Sequence, residues 1–344
     1  MIYPYNMLIK IFLLFLSFSL TTLNASWVPS KYNEFQTLSD RVKMVHSNKI
    51  GEGAFGYVYT YYIMDNYLRC IESGACKTIL NDEDYSIKDF RIESKIARMF
   101  ASHKNFLNIR ATTIERNRFK IYMERAQDFY SYSGLSNNQK AALDFIHQLL
   151  EAFSYMHAHH IIHRDIKPTN ILFTKEKTGK TRYKIIDFTC ASAVGTKQEL
   201  CGSAYYFAPE IIEAVDVLQD VPVPTTKHDV FSLGVSLFEI FDTRHRAYFD
   251  LANKKKDQDE STLFANYTKY GFRRHNDVLK EFHMSRRLTH HIKDLIFKMI
   301  SPYPHGRPEM AELLQMTKEI IKRKKNTKST WKRITSRGSK TTPL

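Results

Sequence analysis

The chain has 344 residues, with 51 Lys+Arg against 36 Asp+Glu and a formal net charge of +15. At 43% hydrophobic and 25% charged residues it can bury a large core, which excludes wholesale disorder. Four cysteines (Cys70, Cys76, Cys190 and Cys201) with no Cys-x-x-Cys spacing exclude a disulfide framework and a cysteine-based metal finger. Four reduced thiols are expected. A Cys190–Cys201 pair is the alternative if the chain enters an oxidising compartment.

Lys10 precedes an apolar run, Ile11 to Leu20, and small residues follow, with Ala25-Ser26 as an exit point. This layout predicts a secretory signal peptide over residues 1–25. Leu23 is large for the position two before a cleavage site, and a signal-anchor or an ordinary buried segment are the alternatives. Sequons stand at Asn24 and Asn266. A linker is expected over residues 26–43.

Residues 44–80 are rich in Tyr, Val and Ile with glycines at turns, a strand pattern. Asp89–Ala101 has helical spacing with Ile92, Ile96 and Phe100 on one side. Phe119–Met123 reads as a strand. From Ala142 the pattern turns helical: Phe145, Ile146, Leu149, Leu150 and Phe153 recur on one face, up to about His157. Further helices are expected over Val230–Phe241, His291–Ile300 and Met310–Ile321. The prolines after Asp220 make a loop, and the Lys254–Glu260 run marks an exposed insertion. Lys318–Leu344 holds ten basic residues and one acid, Glu319. Such a tail reads as mobile and solvated, and it suits an acidic partner: protein, anionic membrane or nucleic acid.

Ile50-Gly51-Glu52-Gly53-Ala54-Phe55-Gly56-Tyr57-Val58 is a glycine-rich segment whose backbone could lie close to a phosphate. A dinucleotide fold would place a helix directly after it. Strand-like residues follow instead, Tyr57 to Tyr61, which argues against that fold. Ala75-Cys76-Lys77 lies about twenty residues on, and Glu93 sits on the first expected helix, where a Lys–Glu pair would hold the ammonium against phosphate oxygens.

The most specific signal is His163-Arg164-Asp165-Ile166-Lys167-Pro168-Thr169-Asn170. It resembles the catalytic loop of the eukaryotic-type protein kinase family. The partner motifs follow in order: Asp187-Phe188-Thr189 for Asp-Phe-Gly, Ala208-Pro209-Glu210, Asp229-Val230-Phe231-Ser232-Leu233-Gly234-Val235, and Arg307-Pro308. The resemblance implies an α+β bilobal fold: a small β-rich N-lobe (about 44–124) and a larger helical C-lobe (about 125–318) with the ATP site between them, then a basic tail over 319–344.

It also implies roles. Asp165 would orient the substrate hydroxyl, and Lys167 would stabilise charge on the moving phosphoryl group. Asn170 and Asp187 would hold Mg2+ or Mn2+. Lys77, steadied by Glu93, would hold the ATP phosphates beneath Gly51, Gly53 and Gly56. Ala75, Met123, Glu124, Ala126 and Leu172 would frame the adenine. Lys167 two residues after Asp165, and Gly202-Ser203, point to Ser/Thr-bearing protein substrates, and no obligate oligomer is predicted. Arg164 implies control by phosphorylation of the loop between Asp187 and Glu210, with Ser192, Thr196 and Ser203 as candidates. Arg307 would pair with Glu210.

Two positions depart from the family pattern. Thr189 replaces a glycine, where a positive φ would be costly. Ala97 is small where a larger apolar residue is usual, and Ile96 would fill the space if the register differs by one. Both support the alternative of a pseudokinase scaffold. The leader predicts a secreted or secretory-pathway location, whereas Lys322-Arg323-Lys324-Lys325 resembles a nuclear localisation cluster and fits a cytoplasmic or nuclear alternative.

Overall fold

The computed structural model describes residues 43–337, less 54–55, 65–68, 81–85, 116–117, 129–133, 198, 217–219, 221–222, 243–278 and 281. The expected leader, nearly all of the linker, both sequons, the polar insertion, Ala54 and Phe55 lie outside the described residues. In chain order the strands are β1 (Lys43–Gly53), β2 (Gly56–Met64), β3 (Cys70–Leu80), β4 (Ile109–Glu115), β5 (Arg118–Met123), β6 (Gln127–Asp128), β7 (Ile161–Ile162), β8 (Ile171–Lys175), β9 (Thr181–Ile185) and β10 (Ser192–Ala193). The helices are α1 (Ile87–Phe100), α2 (Gln139–Ala158), α3 (Pro209–Asp216), α4 (Thr226–Phe241), α5 (His290–Met299) and α6 (Met310–Arg337). No helix among the described residues is long and apolar enough to cross a membrane.

The chain forms two compact units: residues before 133 with Thr169–Ala191, and Ser133–Pro168 with the residues from Ser192 on. The first is β-rich and the second helical, an α+β organisation.

In the first unit β1-β2-β3-β5-β4 make one antiparallel sheet. Side chains alternate between its faces. Tyr61, Ile63, Cys76, Ala111 and Tyr122 cluster in one buried group. Ile79, Phe119 and Ile121 cluster instead with Phe90 of α1. Phe90 stacks on Phe119 with centroids 4.7 Å apart, an aromatic pair worth about 1 kcal/mol beyond its buried area. Lys77 lies two residues before Ile79 on β3, so it shares the α1 side of the sheet.

Helix α1 begins with a capping box. Ser86 Oγ accepts from Asp89 N–H, and Asp89 Oδ2 accepts from Ser86 N–H at 2.9 Å. That hydrogen bonding holds the Asp89 carboxyl below its usual range. Such a cap stabilises a helix by about 1 kcal/mol. The buried face of α1 carries Phe90, Glu93, Ile96, Ala97 and Phe100. Ile92, expected on that face, is exposed. Residues 90, 93, 97 and 100 follow the helical repeat, and 92 lies outside the stripe. Strands β6, β8 and β9 make a second small sheet.

In the second unit α2 opens on Asn138, whose side chain accepts from the Lys140 and Ala141 N–H groups. Its face of Phe145, Ile146, Leu149, Leu150, Phe153 and Met156 is buried, and it packs against α6. Helix α4 packs on α5, and a Cβ at Gly234 would stand 2.6 Å from Met299 Cβ, so only glycine allows that approach. The basic C-terminal segment, expected as a mobile tail, continues α6 as helix to Arg337. No Gly or Pro interrupts residues 310–337, and Lys and Arg are good helix formers.

Candidate active site

The glycine-rich segment is the β1–β2 hairpin, with Gly51 opposite Val58, Glu52 opposite Tyr57 and Gly53 opposite Gly56. A Cβ on Gly56 would lie 2.1 Å from the Thr78 carbonyl oxygen of β3. The turn end of the hairpin therefore lies closer to β3 than any side-chain-bearing residue permits. Lys49 Nζ bonds Glu52 Oε2 at 2.7 Å and sits 4.1 Å from the Tyr57 ring centroid.

Ala75 and Lys77 fall on the same face of β3, opposite Met123 and Ile121 of β5. Lys77 Nζ lies 3.1 Å from Glu93 Oε1 and 3.3 Å from Asp187 Oδ1. Burial works against the Lys77 charge, but the Asp187 and Glu93 carboxylates outweigh it and hold the ammonium above its ordinary value. Glu93 is buried on α1. Beyond Met123, Glu124 N–H donates to Asn108 O at 3.0 Å. The Glu124 carboxylate accepts from Asn108 N–H at 2.8 Å and meets Lys184 Nζ at 2.6 Å. The side chain of Glu124 is thereby tied to its own unit. Ala126 is half-buried. Leu172 pairs with Asp128 and Lys184, which sets β8 beside the segment after β5.

Asn170 is buried, and its carbonyl accepts from Ile186 N–H at 3.1 Å. That bond links the Asn170 turn to the residue before Asp187. Asp187 stands at φ 65°, so the left-handed turn falls on Asp187 and not on Thr189. Thr189 takes no positive φ, and its Oγ1 donates to Asp187 Oδ1 at 2.6 Å. Phe188 packs against Phe106 and Phe100, with centroids 5.8 and 6.2 Å away. Phe100 and Phe106 themselves lie 5.0 Å apart. These three rings form one aromatic cluster. Ile96 and Ala97 are both buried on α1.

In the second unit Asp165 Oδ2 lies 2.8 Å from Lys167 Nζ, which also donates to Ser203 Oγ at 2.6 Å. Asp165 is 8% exposed. The catalytic-loop backbone is held from below: His163 N–H and Arg164 N–H donate to the two Asp229 oxygens at 2.8 and 2.9 Å. His157 Nε2 meets Asp229 Oδ2 at 2.8 Å. Burial opposes the Asp229 charge, but these partners win and its carboxyl titrates at about 2.

Residues 44–317 match the family model described as Protein kinase domain. The chain belongs to the protein kinase family. An Aurora kinase of Candida glabrata is 29% identical over 223 residues, covering 61% of this chain and 56% of its own length. CBL-interacting protein kinase 28 of Oryza sativa is 24% identical over 291 residues, covering 79% and 58%. Sperm motility kinase 2B of Mus musculus is 29% identical over 223 residues, covering 63% and 40%. The chain spans between 40% and 58% of the length of these relatives.

In this member of the family the Arg307–Glu210 pair forms as expected. The guanidinium donates to both Glu210 oxygens at 2.7 and 2.8 Å, and to the carbonyls of Ser301, Lys227 and Pro302. Arg164, at φ 69°, donates to the Glu199 carbonyl. A Cβ on Gly202 would stand 2.5 Å from the Arg164 carbonyl oxygen, so the segment passes the catalytic loop at glycine-only distance. Of the three candidate phosphorylation residues, Ser192 is buried in β10, Ser203 binds Lys167, and Thr196 is exposed. Three contacts were not legible in the motifs: Thr189 to Asp187, Ser203 to Lys167, and His157 to Asp229. The only signal for the first was the departure from glycine itself. Cys190 and Cys201 are disulfide-bonded, which corrects the expectation of four reduced thiols. Cys70 and Cys76 remain thiols.

Proposed function

We propose that this kinase is an active Ser/Thr-specific enzyme that transfers the ATP γ-phosphate to protein hydroxyls. The observation that carries the reading is Lys77 Nζ bound at once to Glu93 and Asp187, an assembled pair of the kind phosphoryl transfer requires. A decayed site would have lost one of these charges. Specificity for Ser/Thr rests on Lys167 beside Asp165.

Asn170 and Asp187 offer an amide oxygen and a carboxylate, hard donors that suit Mg2+ or Mn2+. Bound there, the cation would neutralise phosphate charge. Asp165 orients the attacking hydroxyl and accepts its hydrogen bond. Lys167, fixed by Asp165 and Ser203, lies ready to stabilise the charge on the transferred group. Lys77 positions the phosphates. These residues act by placement and by charge complementarity, since the transition state needs little covalent help.

Regulation through the activation segment belongs to the same reading. Thr196 is its acceptor because it is exposed, whereas Ser192 is buried. A secretory location is supported by the leader sequence and by the two disulfide-bonded cysteines. Tagged full-length chain should then enter the secretory pathway, and removal of residues 1–25 should leave it in the cytosol. The basic run after Lys318 suits an acidic partner.

The deciding experiment is phosphate transfer from Mg-ATP to a basic test protein and to the chain itself, with Asp165→Ala as control. Transfer onto Ser/Thr that vanishes in Asp165→Ala establishes the enzyme. ATP binding without transfer in the unaltered chain would instead make it a pseudokinase scaffold.

A further inference from the structure

We infer that His290, His291 and Asp294 form a binding site for a divalent transition cation of the Zn2+ class, closed by Glu319. The site lies wholly in the second unit and is independent of the phosphotransfer residues. Helix α5 starts at His290, directly after Thr289. Residues three and four apart share a helix face, so Asp294 lies one turn below both histidines. One ligand atom from each of the three side chains falls within 4.8 Å of the other two. The imidazole rings are 4.0 Å apart. In a tetrahedral site with bonds of about 2.0–2.2 Å, ligand atoms stand somewhat closer than this. His290 and Asp294 are exposed and His291 is half-buried, so closing the set calls for rotation mainly of the two exposed side chains.

The donor set selects the metal class. Two imidazoles and a carboxylate favour Zn2+ and its neighbours over Mg2+ or Ca2+, which prefer oxygen alone. Glu319 of α6 is the candidate for the fourth position. A cavity of about 380 Å³ between α5 and α6 is lined by His291, Asp294 and, from α6, Glu319. A bound cation would therefore join α5 to α6, the helix that continues into the basic segment. Lys298 and Arg323 line the same cavity, and the N-terminal end of α5 is itself the positive end of a helix dipole. Those charges oppose a cation and lower its affinity.

The test uses the full chain, stripped with chelator and titrated calorimetrically with ZnCl2 in the presence of excess Mg2+. Co2+ is titrated in parallel, because tetrahedral Co2+ absorbs strongly in the visible. The expected result is one saturable Zn2+ per chain, a tetrahedral Co2+ spectrum, and a Zn2+-dependent rise in melting temperature. His291→Ala and Asp294→Asn should each weaken binding by at least about tenfold. Glu319→Gln should weaken it too and remove the gain in melting temperature. All three residues lie at a surface, and matching melting curves without metal would show that the variants fold. Absence of 1:1 binding, or binding unchanged in His291→Ala and Asp294→Asn, overturns the site. Binding unchanged in Glu319→Gln overturns the link to α6.

Discussion

Thr189 Oγ1 donates a 2.6 Å hydrogen bond to Asp187 Oδ1, the same oxygen that Lys77 Nζ meets at 3.3 Å. The hydroxyl thus helps fix the carboxylate proposed to hold the metal. Hydrogen bonds to a charged group are worth about 1.5–3 kcal/mol. Thr189→Val removes the donor and keeps the branched shape. It should raise the Mg2+ concentration for half-maximal transfer and lower kcat/KM by roughly tenfold. Thr189→Ser should retain most of the activity. Metal titrations of both variants check this, and a Thr189→Val enzyme with unchanged metal dependence would show the contact to be incidental.

The Lys77–Glu93 pair makes a separate prediction. Both groups are largely buried, with Lys77 17% and Glu93 5% exposed at the side chain. Lys77→Met should reduce phosphate transfer by about two to three orders of magnitude, the usual loss when a preorganised charge is removed, and should also lower the melting temperature, because the buried Glu93 carboxylate loses its partner. Glu93→Gln keeps a hydrogen-bond acceptor but no charge, and its loss should be smaller. Melting curves taken alongside initial rates separate lost chemistry from lost folding.

Arg307 and Glu210 test stability rather than catalysis. The Arg307 side chain is fully buried, and its guanidinium lies 4.8 Å over the Phe231 ring. Removal of one partner of a buried ion pair costs about 3–5 kcal/mol, because the other charge is stranded. Glu210→Ala should therefore lower the urea midpoint markedly. Arg307→Met with Glu210→Leu should recover part of the loss. A double-mutant cycle gives the coupling directly.

The motifs made the site residues legible because each contact spans elements whose faces follow simple periods. Period two on β3 places Lys77 on the α1 side, and the helical repeat places Glu93 beside Phe90. Arg307 and Glu210 are 97 residues apart, and only the family resemblance linked them. Where the reading failed, a local cause competed. Ile92 fits an apolar stripe in composition but sits off the buried face of α1. The Lys-rich segment read as an irregular tail, yet it lacks any helix breaker and continues α6. Thr189 looked strained only on the assumption that its turn needs a positive φ. Asp187 takes that conformation instead, and the threonine is left free to donate its hydroxyl.

Buried His228 and Asp229 predict two separate acid transitions. His228 is 2% exposed, and neither ring nitrogen has a hydrogen-bond partner among the described residues. Burial pushes its pKa below the ordinary 6.5, although Asp229 and Glu210 pull the other way, while Arg164 and Arg307 reinforce the shift. The unfolded chain therefore binds a proton there that the folded chain resists. Stability is fully present above about pH 6.5 and falls as pH drops below it. Asp229 acts lower. Its carboxyl titrates at about 2 against 3.8 when unfolded, so its contribution, roughly 2 kcal/mol, persists above pH 3.8 and is lost as pH falls towards 2. His228→Leu removes the upper transition and leaves the lower one. Urea midpoints measured from about pH 8 to pH 5 should slope downwards in the unaltered kinase and run flatter in His228→Leu. An equal slope in both would assign the acid sensitivity to other groups.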